Sequence, residues 1–394
     1  MSGLPIYLDN NTTTRPSEEA IAKMLPFLTE RWGVPSAPHQ MGQHLMPAIE
    51  EALKGLYALL GANQNDDIIF TSSSAEGVNQ VILSTYFDVT LPTGRNQFIT
   101  SSIDEAPAMM AAGRLEQLSC IHKTAPSDKH GRITAQAVAE AMTPRTSLVS
   151  LSWANGLTGV INPIQEIYDI CEERGVRLHL DATHVLGKIF ADWEEVPAHF
   201  LTFNGDAFHA PTGTGGLYIK HDIKCSPFIL GGIEQAGHRA GSFSVANLVA
   251  MGQAAREAID ARDFMYTEVA RLRSKLETEI VALVPDAIPL FQDQERLPNC
   301  TAIAFPGVVN EALLYLLNRK GVYASIGGGT YQQIGLVLEA SGIEEILAHS
   351  AISFGLSRET SEEDIDRAIE IIAESVKQLR KISHQFIHKE TTWD

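Results

Sequence analysis

The sequence predicts an α/β protein in which a mostly parallel sheet is covered by helices on both faces. Short runs rich in apolar and β-branched residues alternate along the chain with amphipathic stretches of helical period, which is the pattern of such a sheet. The clearest strands are predicted at 147–152, 176–180 and 199–203. No repeat, low-complexity tract or long Pro/Gly linker interrupts this alternation. The chain is therefore expected to fold as one α/β enzyme-like unit with helical layers.

Each of these three predicted strands is followed closely by a polar residue. Asn155, Asp181 and Asn204 stand at these positions. Ligand sites in open α/β sheets lie beyond the carboxyl ends of the strands, so the three side chains are expected to meet in one crevice.

The carboxyl-terminal part of the chain predicts a smaller α+β domain that ends in a long helix. Residues 360–364 combine a Thr and a Ser with acidic residues, which favours the start of a helix. One buried stripe of that helix is predicted at Ile365, Ala368, Ile369, Ile372, Val376 and Leu379. We expect a large domain at 16–255 and a small domain at 256–394 that the segment 1–15 joins.

Composition and charge limit the possible partners. The 394 residues are 44% hydrophobic, which is enough for a sizeable core. There are 48 acidic and 30 basic residues, and the formal charge is -18. This charge disfavours nucleic acid and anionic membrane surfaces and makes a basic partner more plausible than an acidic one. With no charged leader or long apolar run, a cytoplasmic location is expected. Buried reduced thiols are expected at Cys120, Cys171, Cys225 and Cys300, whose spacing fits no metal motif.

Several motifs follow one another in a recognisable order. They lie at 7–14, 32–39, 70–79, 150–155, 178–188, 201–219 and 231–242. Together they resemble the cysteine desulfurases of the NifS/IscS group, within the class V aminotransferases. The resemblance implies the fold-type-I architecture of the transferases that depend on pyridoxal phosphate (PLP). It also implies a homodimer with active-site crevices at the subunit interface.

The segment 201–219 resembles the family's cofactor-anchoring segment, but the anchor is missing. The resemblance places Ala207 at the Lys that forms the Schiff base with PLP, and Asp206 at the His that precedes it. A methyl group cannot form an imine. Any binding of pyridoxal phosphate is therefore expected to be noncovalent and weak.

Other positions resemble the family's contacts to the cofactor ring. Asp181 matches the carboxylate that holds the pyridinium nitrogen protonated, which makes the ring an electron sink. Asn155 and His184 match residues that contact the ring oxygen, with His184 at a position where the family usually has Gln. An alternative for Asn155 is that it only caps a turn.

The phosphate site implied by the resemblance is altered. Ser74 and Ala75 lie in the turn whose backbone amides hold the phosphate, and Ala75 replaces a Thr. Asn204 stands where the family has Ser and is expected to donate a hydrogen bond to the phosphate. Ser242 matches the Ser or Thr that reaches the phosphate from the partner subunit. Asp206 is expected to repel it. These small polar residues are equally plausible as ordinary turn residues.

Three further departures concern the reaction. Glu105 lies where the family has a His that stacks on the ring, and Ser353 replaces the Arg that clamps the substrate carboxylate. Thr330 falls near the sulfur-accepting Cys, and a hydroxyl cannot carry a persulfide. The number of separate losses indicates natural divergence rather than one engineered Lys→Ala change.

The leading hypothesis is a degenerate cysteine desulfurase-like homodimer that lacks cysteine desulfurase activity. It would act as a binding or regulatory partner in sulfur or iron-sulfur metabolism, with no confident catalytic residue. An alternative is an enzyme that holds pyridoxal or pyridoxamine phosphate noncovalently and uses His184 or His209 as its base. A small-molecule sensor without turnover is a third possibility.

Overall fold

The computed structural model describes residues 5–190, 195–328 and 332–387. The strands are β1 (Ile6–Tyr7), β2 (Asp67–Thr71), β3 (Gln97–Ser101), β4 (Ile121–Ala125), β5 (Thr146–Ser152), β6 (Arg177–Asp181), β7 (Phe200–Asn204), β8 (Gly215–Ile219), β9 (Ile288–Pro289), β10 (Cys300–Ala304), β11 (Val322–Tyr323), β12 (Gly327–Gly328), β13 (Gln332–Gln333) and β14 (Ala351–Gly355).

The α-helices are α1 (Glu18–Met24), α2 (Pro26–Thr29), α3 (Gln40–Gln43), α4 (Met46–Leu60), α5 (Ser74–Thr85), α6 (Leu91–Thr93), α7 (Ala106–Arg114), α8 (Ala135–Ala141), α9 (Ile164–Glu173), α10 (Val245–Asp260), α11 (Arg262–Phe264), α12 (Ala270–Leu283), α13 (Asn310–Arg319), α14 (Ile334–Ala340), α15 (Glu345–Ala348) and α16 (Glu362–Ile387). Several begin at a residue whose hydroxyl accepts a backbone N–H of the first turn, such as Ser17, Thr134 and Ser244. Helix α4 ends at Gly61, whose φ of 65° closes the last turn in the left-handed region.

The central sheet has seven strands in the order β2-β8-β7-β6-β5-β3-β4. Strands β3 to β7 pair in parallel with their neighbours among themselves, and β8 runs antiparallel to both β2 and β7. The predicted mostly parallel sheet with helical cover is confirmed, and the three predicted strands correspond to β5, β6 and β7. Because β5, β6 and β7 are neighbours, their carboxyl ends lie side by side.

A smaller antiparallel sheet, β14-β10-β9, lies in the carboxyl-terminal part of the chain. The amino-terminal segment joins it, since β1 pairs with β11 and Leu8 is buried in the same hydrophobic cluster as residues of α12, α13 and α16. The predicted stripe of the last helix is buried from Ile365 to Val376. The predicted boundary at 255/256 falls inside α10, and the division into two domains stays a prediction.

A side chain covers the outer edge of β2, the last strand on its side of the sheet. The Phe70 N–H donates to Gln235 Oε1 at 2.7 Å, and Gln235 Nε2 donates to the Phe70 carbonyl at 2.9 Å. Gln235 has a φ of 49°, in the left-handed region that residues other than Gly rarely adopt. One amide side chain thus supplies both bonds that a neighbouring strand would make to Phe70.

Across the described ranges, no helix combines the length and the apolar character needed to cross a membrane. All four cysteines are buried and unbridged, as predicted from their spacing.

Candidate functional site

A cavity of about 310 Å³ opens at the carboxyl ends of the central strands. Asn155 follows β5, His184 follows β6, and Asn204 is the last residue of β7. All three line the cavity. The strand pattern predicts this for Asn155 and Asn204, whereas Asp181, the third residue that it predicts, does not line the cavity. The amino-terminal segment, the 325–328 segment and β14 close the other side. The described lining residues are Asp9, Asn11, Thr12, Ile103, Asp104, Glu105, Asn155, Gly156, Leu157, Thr183, His184, Asn204, Ser325, Gly327, Gly328, Gln332, Val337, Ser353 and Gly355.

The other predicted site residues lie outside this wall. Asp181 ends β6 next to the cavity, Ser74 and Ala75 begin α5, and Ala207 lies in a 3₁₀ turn after β7. Ser242 lines a different, largely apolar cavity with Phe243. Thr330 lies outside the described residues.

Asn204 occupies the amino end of α5. Its Oδ1 accepts the Ser74 N–H at 2.7 Å, while the preceding Ser73 makes no side-chain cap. The amino-terminal N–H groups of a helix need partners from outside the helix, and Asn204 supplies one for α5. We expected Asn204 to donate to a phosphate; instead its carbonyl oxygen takes the bond that a phosphate oxygen would accept from Ser74. This contact between residues 130 positions apart could not be read from the sequence.

Ala207 is buried, with 3% of its surface exposed. It lies beside a small second cavity of about 20 Å³ that Lys188 and His209 also line. Lys188 Nζ donates to Asn11 Oδ1 at 3.3 Å, and burial lowers the pKa of Lys188 to about 8. His209 Nδ1 bonds the Arg15 carbonyl at 2.8 Å, and burial lowers the pKa of His209 to about 4. His209 therefore holds the turn in place and does not face the main cavity.

Asn155 uses both ends of its amide within the fold. Its Oδ1 accepts the N–H groups of Leu157 and Thr158, each at 3.0 Å. Its Nδ2 donates to the Ile103 carbonyl at 3.2 Å. The turn-capping role considered in the sequence is thus present, and Asn155 forms a rigid part of the cavity wall.

Glu105 and His184 lie side by side in the cavity wall, where His184 Nε2 contacts Glu105 Oε1. Although burial opposes it, the contact with His184 keeps the pKa of Glu105 below its usual range. Burial and the nearby Glu105 carboxylate raise the pKa of Asp181 to about 6. Asp181 Oδ1 also accepts the Thr183 N–H at 2.9 Å. The site thus holds a carboxylate paired with His184 next to a second carboxyl group, Asp181, whose pKa is raised.

Sequence analysis missed two acidic residues of the wall. Asp104 is fully buried and accepts the N–H groups of Ser101 at 2.6 Å and Ser152 at 2.7 Å. Asp9 accepts the Thr12 hydroxyl at 2.8 Å. Burial raises the pKa of both Asp9 and Asp104. Asp9 stands in the motif at 7–14 and Asp104 directly precedes Glu105, but only the packing of these distant segments brings both carboxylates to one wall.

Neither Asp206 nor the nearby Arg358 lines the cavity. Asp206 accepts the Thr13 hydroxyl at 3.4 Å, and burial raises its pKa. Arg358 pairs with Glu257 at 2.6 Å, away from Ser353. Ser353 does line the cavity, as does Glu105. The side of the site where a substrate carboxylate would be expected therefore presents a hydroxyl, not a guanidinium.

The residues present do not fit a PLP held through an imine, and they fit its phosphate poorly. Ala207 offers a buried methyl group at the matched position. The Ser74 N–H is already bonded to Asn204. In the described part of the wall there is no Lys or Arg to balance a phosphate dianion.

Comparison with known proteins agrees with this fold. The aminotransferase class-V family model matches residues 6–368. The chain is 36% identical to the cysteine desulfurase NifS of Azotobacter vinelandii over 382 residues, 96% of this chain and 94% of that protein. It is 33% identical to a cysteine desulfurase of Gluconacetobacter diazotrophicus, with 96% and 95% of the two chains covered. A solved NifS-like protein matches with a TM-score of 0.88 at 27% identity, covering 95% of this chain and 100% of that chain. The chain therefore belongs to the class-V aminotransferase family, where its relatives include NifS-type cysteine desulfurases.

Proposed function

We propose that this protein is a cysteine desulfurase-like homodimer without cysteine desulfurase activity, and that it serves as a binding or regulatory partner in sulfur or iron-sulfur metabolism. The observation that carries this proposal is the buried methyl group of Ala207 at the matched Schiff-base position. Without an amine there, any pyridoxal phosphate is held noncovalently and weakly. Asn204 at the start of α5 and Ser353 in the cavity wall support the same conclusion.

The test is an activity assay together with an absorbance spectrum. Purified protein with added pyridoxal phosphate and L-cysteine is expected to form no alanine or sulfide above a control without enzyme. The spectrum is expected to lack the internal-aldimine band. Cysteine-dependent alanine formation by the natural chain would refute the proposal.

The variant Ala207→Lys gives a second measurement. It restores the amine but leaves Asn204 bonded to Ser74 and Ser353 in place of a carboxylate-binding Arg. We expect no desulfurase activity from this variant, because one group of several returns. Full activity of Ala207→Lys would mean that the single residue, and not the whole site, had changed.

Exposed apolar side chains support the proposed homodimer. Leu230 is 80% exposed and Ile233 is 91% exposed, and both precede Ser242 on the same surface segment. Trp32 is 64% exposed. Large apolar side chains on a surface commonly mark an interface. The formal charge of -18 favours a basic protein partner for the assembled dimer, which we place in the cytoplasm.

A second candidate is an enzyme that uses noncovalent pyridoxal or pyridoxamine phosphate with a His base. The contact between His184 and Glu105 in the cavity favours it, because a carboxylate can orient a His that moves protons. His209 is the weaker base, since the Arg15 carbonyl holds its ring. Turnover of an amino acid that is lost in His184→Gln and retained in His209→Gln would favour this candidate over the first.

A further inference from the structure

Two apolar side chains project from one surface loop, residues 229–240. Leu230 is 80% exposed and Ile233 is 91% exposed, and no other large apolar side chain in the described part of the chain is as exposed as either. The Ala240 N–H donates to the Ile229 carbonyl at 3.2 Å, which closes the loop at its base. Single apolar side chains on a surface are ordinary, but two on one short loop form an apolar patch that the chain itself does not cover.

Contacts at its base hold this loop in one conformation. Gln235 makes two hydrogen bonds to the backbone of Phe70, and Arg239 Nε donates to Glu76 Oε1 at 2.9 Å. Gln235 and Ala236 have φ values of 49° and 55°, and residues other than Gly persist in this region only where the surrounding contacts fix them. A loop that is already fixed loses little conformational entropy when it enters an interface.

An apolar cavity of about 450 Å³ lies beside the loop, between α4 and β2. Most of its wall is apolar, with the side chains of Met46, Ile49, Leu53, Phe70, Phe243 and Leu248. In the described wall there is no Lys, Arg or His, and the two carboxylates are those of Asp67 and Glu234. Such a cavity suits an apolar group. Ile233 does not fill the cavity of its own chain, because its side chain is exposed.

The projecting side chains and the cavity adjoin. Ile233 directly precedes Glu234, and Glu234, Gln235 and Ala236 belong to the cavity wall. In a dimer with two-fold symmetry the same patch of both copies meets, so each copy must supply both a projecting group and the recess that receives it. A different partner protein would need only one of the two on this chain. The adjoining pair therefore favours a second copy of this chain as the occupant.

We propose that two copies of this chain associate through a reciprocal contact, in which Leu230 and Ile233 of each copy enter the apolar cavity of the other. The inference rests on the proposed homodimer and identifies the surface that forms it. Burial of uncharged side chains against an apolar wall supplies the attraction.

Cross-linking between two single variants tests the contact. Chains with Ile233→Cys and chains with Met46→Cys, each with a different affinity tag, are coexpressed and treated with a short bis-maleimide. A covalent dimer that carries both tags is expected, since the two cysteines come from different copies. In the control, Ile346→Cys on α15 replaces Ile233→Cys and is expected to give no such dimer. The four natural cysteines are buried, which keeps the background low. Equal yields with Ile233→Cys and Ile346→Cys would reject the contact.

The strength of the dimer gives an independent measurement. Leu230→Ala and Ile233→Ala are each expected to raise the dissociation constant by roughly tenfold or more in sedimentation, because each removes an apolar side chain from the contact. Both side chains are exposed in the single chain, so these variants are expected to fold. Ile233→Leu should dissociate nearly as the natural chain does, and Ile346→Ala is the matched control.

The outcomes separate this contact from the homodimer itself. A natural chain that is monomeric would refute the homodimer and this contact together. A natural dimer that neither Leu230→Ala nor Ile233→Ala weakens would leave the homodimer in place and reject the contact.

Discussion

Asn204 connects two parts of the fold through one side-chain atom. It ends β7, lines the cavity and gives its Oδ1 to the first amide of α5. A residue that caps a helix from another strand couples the position of that helix to the sheet. The consequence is that the same side chain both caps α5 and occupies the Ser74 N–H, which an anion at this helix end would otherwise be free to accept.

At the scale of single residues, we predict that Asn204→Ala lowers the free energy of unfolding by about 1 kcal/mol, the usual cost of a lost helix cap. Urea unfolding followed by circular dichroism measures it. The control is Asn79→Ala, because Asn79 bonds only the Ala75 carbonyl within the same helix. A loss in Asn79→Ala as large as that in Asn204→Ala would argue against the capping role.

At the scale of elements, β6 carries a buried His in the middle of the parallel sheet. His179 Nδ1 bonds Ser150 Oγ on β5 at 2.8 Å, and Nε2 bonds Thr202 Oγ1 on β7 at 2.9 Å. Burial lowers the pKa of His179 to about 3. The neutral ring thus links three neighbouring strands below the cavity.

This His predicts a dependence of stability on pH. An unfolded His titrates near pH 6.5. Between about pH 6.5 and 3 the unfolded chain binds a proton that folded His179 does not, so the free energy of unfolding falls as the pH is lowered. The slope from this one group approaches about 1.4 kcal/mol per pH unit.

We therefore expect His179→Gln to be less stable than the natural chain at pH 7.5 and to lose less stability between pH 7 and pH 5. Urea unfolding at several pH values measures both effects. His44→Gln, at an exposed position, is the control and should keep the natural slope. An unchanged slope in His179→Gln would mean that the buried ring does not contribute to the acid sensitivity.

At the scale of the whole molecule, the proposed homodimer has a direct test. Light scattering at micromolar concentration is expected to give about twice the chain mass of 43.0 kDa. Ile233→Asp should shift the protein toward the monomer, because it places a charge on an apolar side chain that is 91% exposed. Ile346→Asp, on a side chain 76% exposed on α15, should leave the mass unchanged. A monomer mass for the natural chain would refute the dimer.

The sequence predicts the strands and the position of the cavity better than it predicts the contacts between individual side chains. The strand pattern places Asn155 and Asn204 at one cavity because neighbouring parallel strands end together, but it predicts Asp181 and not His184 as the third residue there. It does not predict that Asn204 bonds Ser74, since that contact depends on the order of β2, β8 and β7 in the sheet. The charge of the wall was missed for the same reason. Asp9 and Asp104 reach the cavity only after distant segments pack together.

The hydrogen bonds that Gln235 makes to the edge of β2 affect how readily the protein could aggregate. An uncovered strand edge can pair with another chain and start aggregation. Gln235 belongs to the same surface segment as Leu230 and Ile233, so a disturbance of that segment would release the edge and expose apolar side chains together. Variants in this segment are expected to aggregate on heating at a lower temperature than the natural chain. Without Gln235, the Phe70 N–H and carbonyl at this edge of the sheet would be free to pair with a strand of another chain.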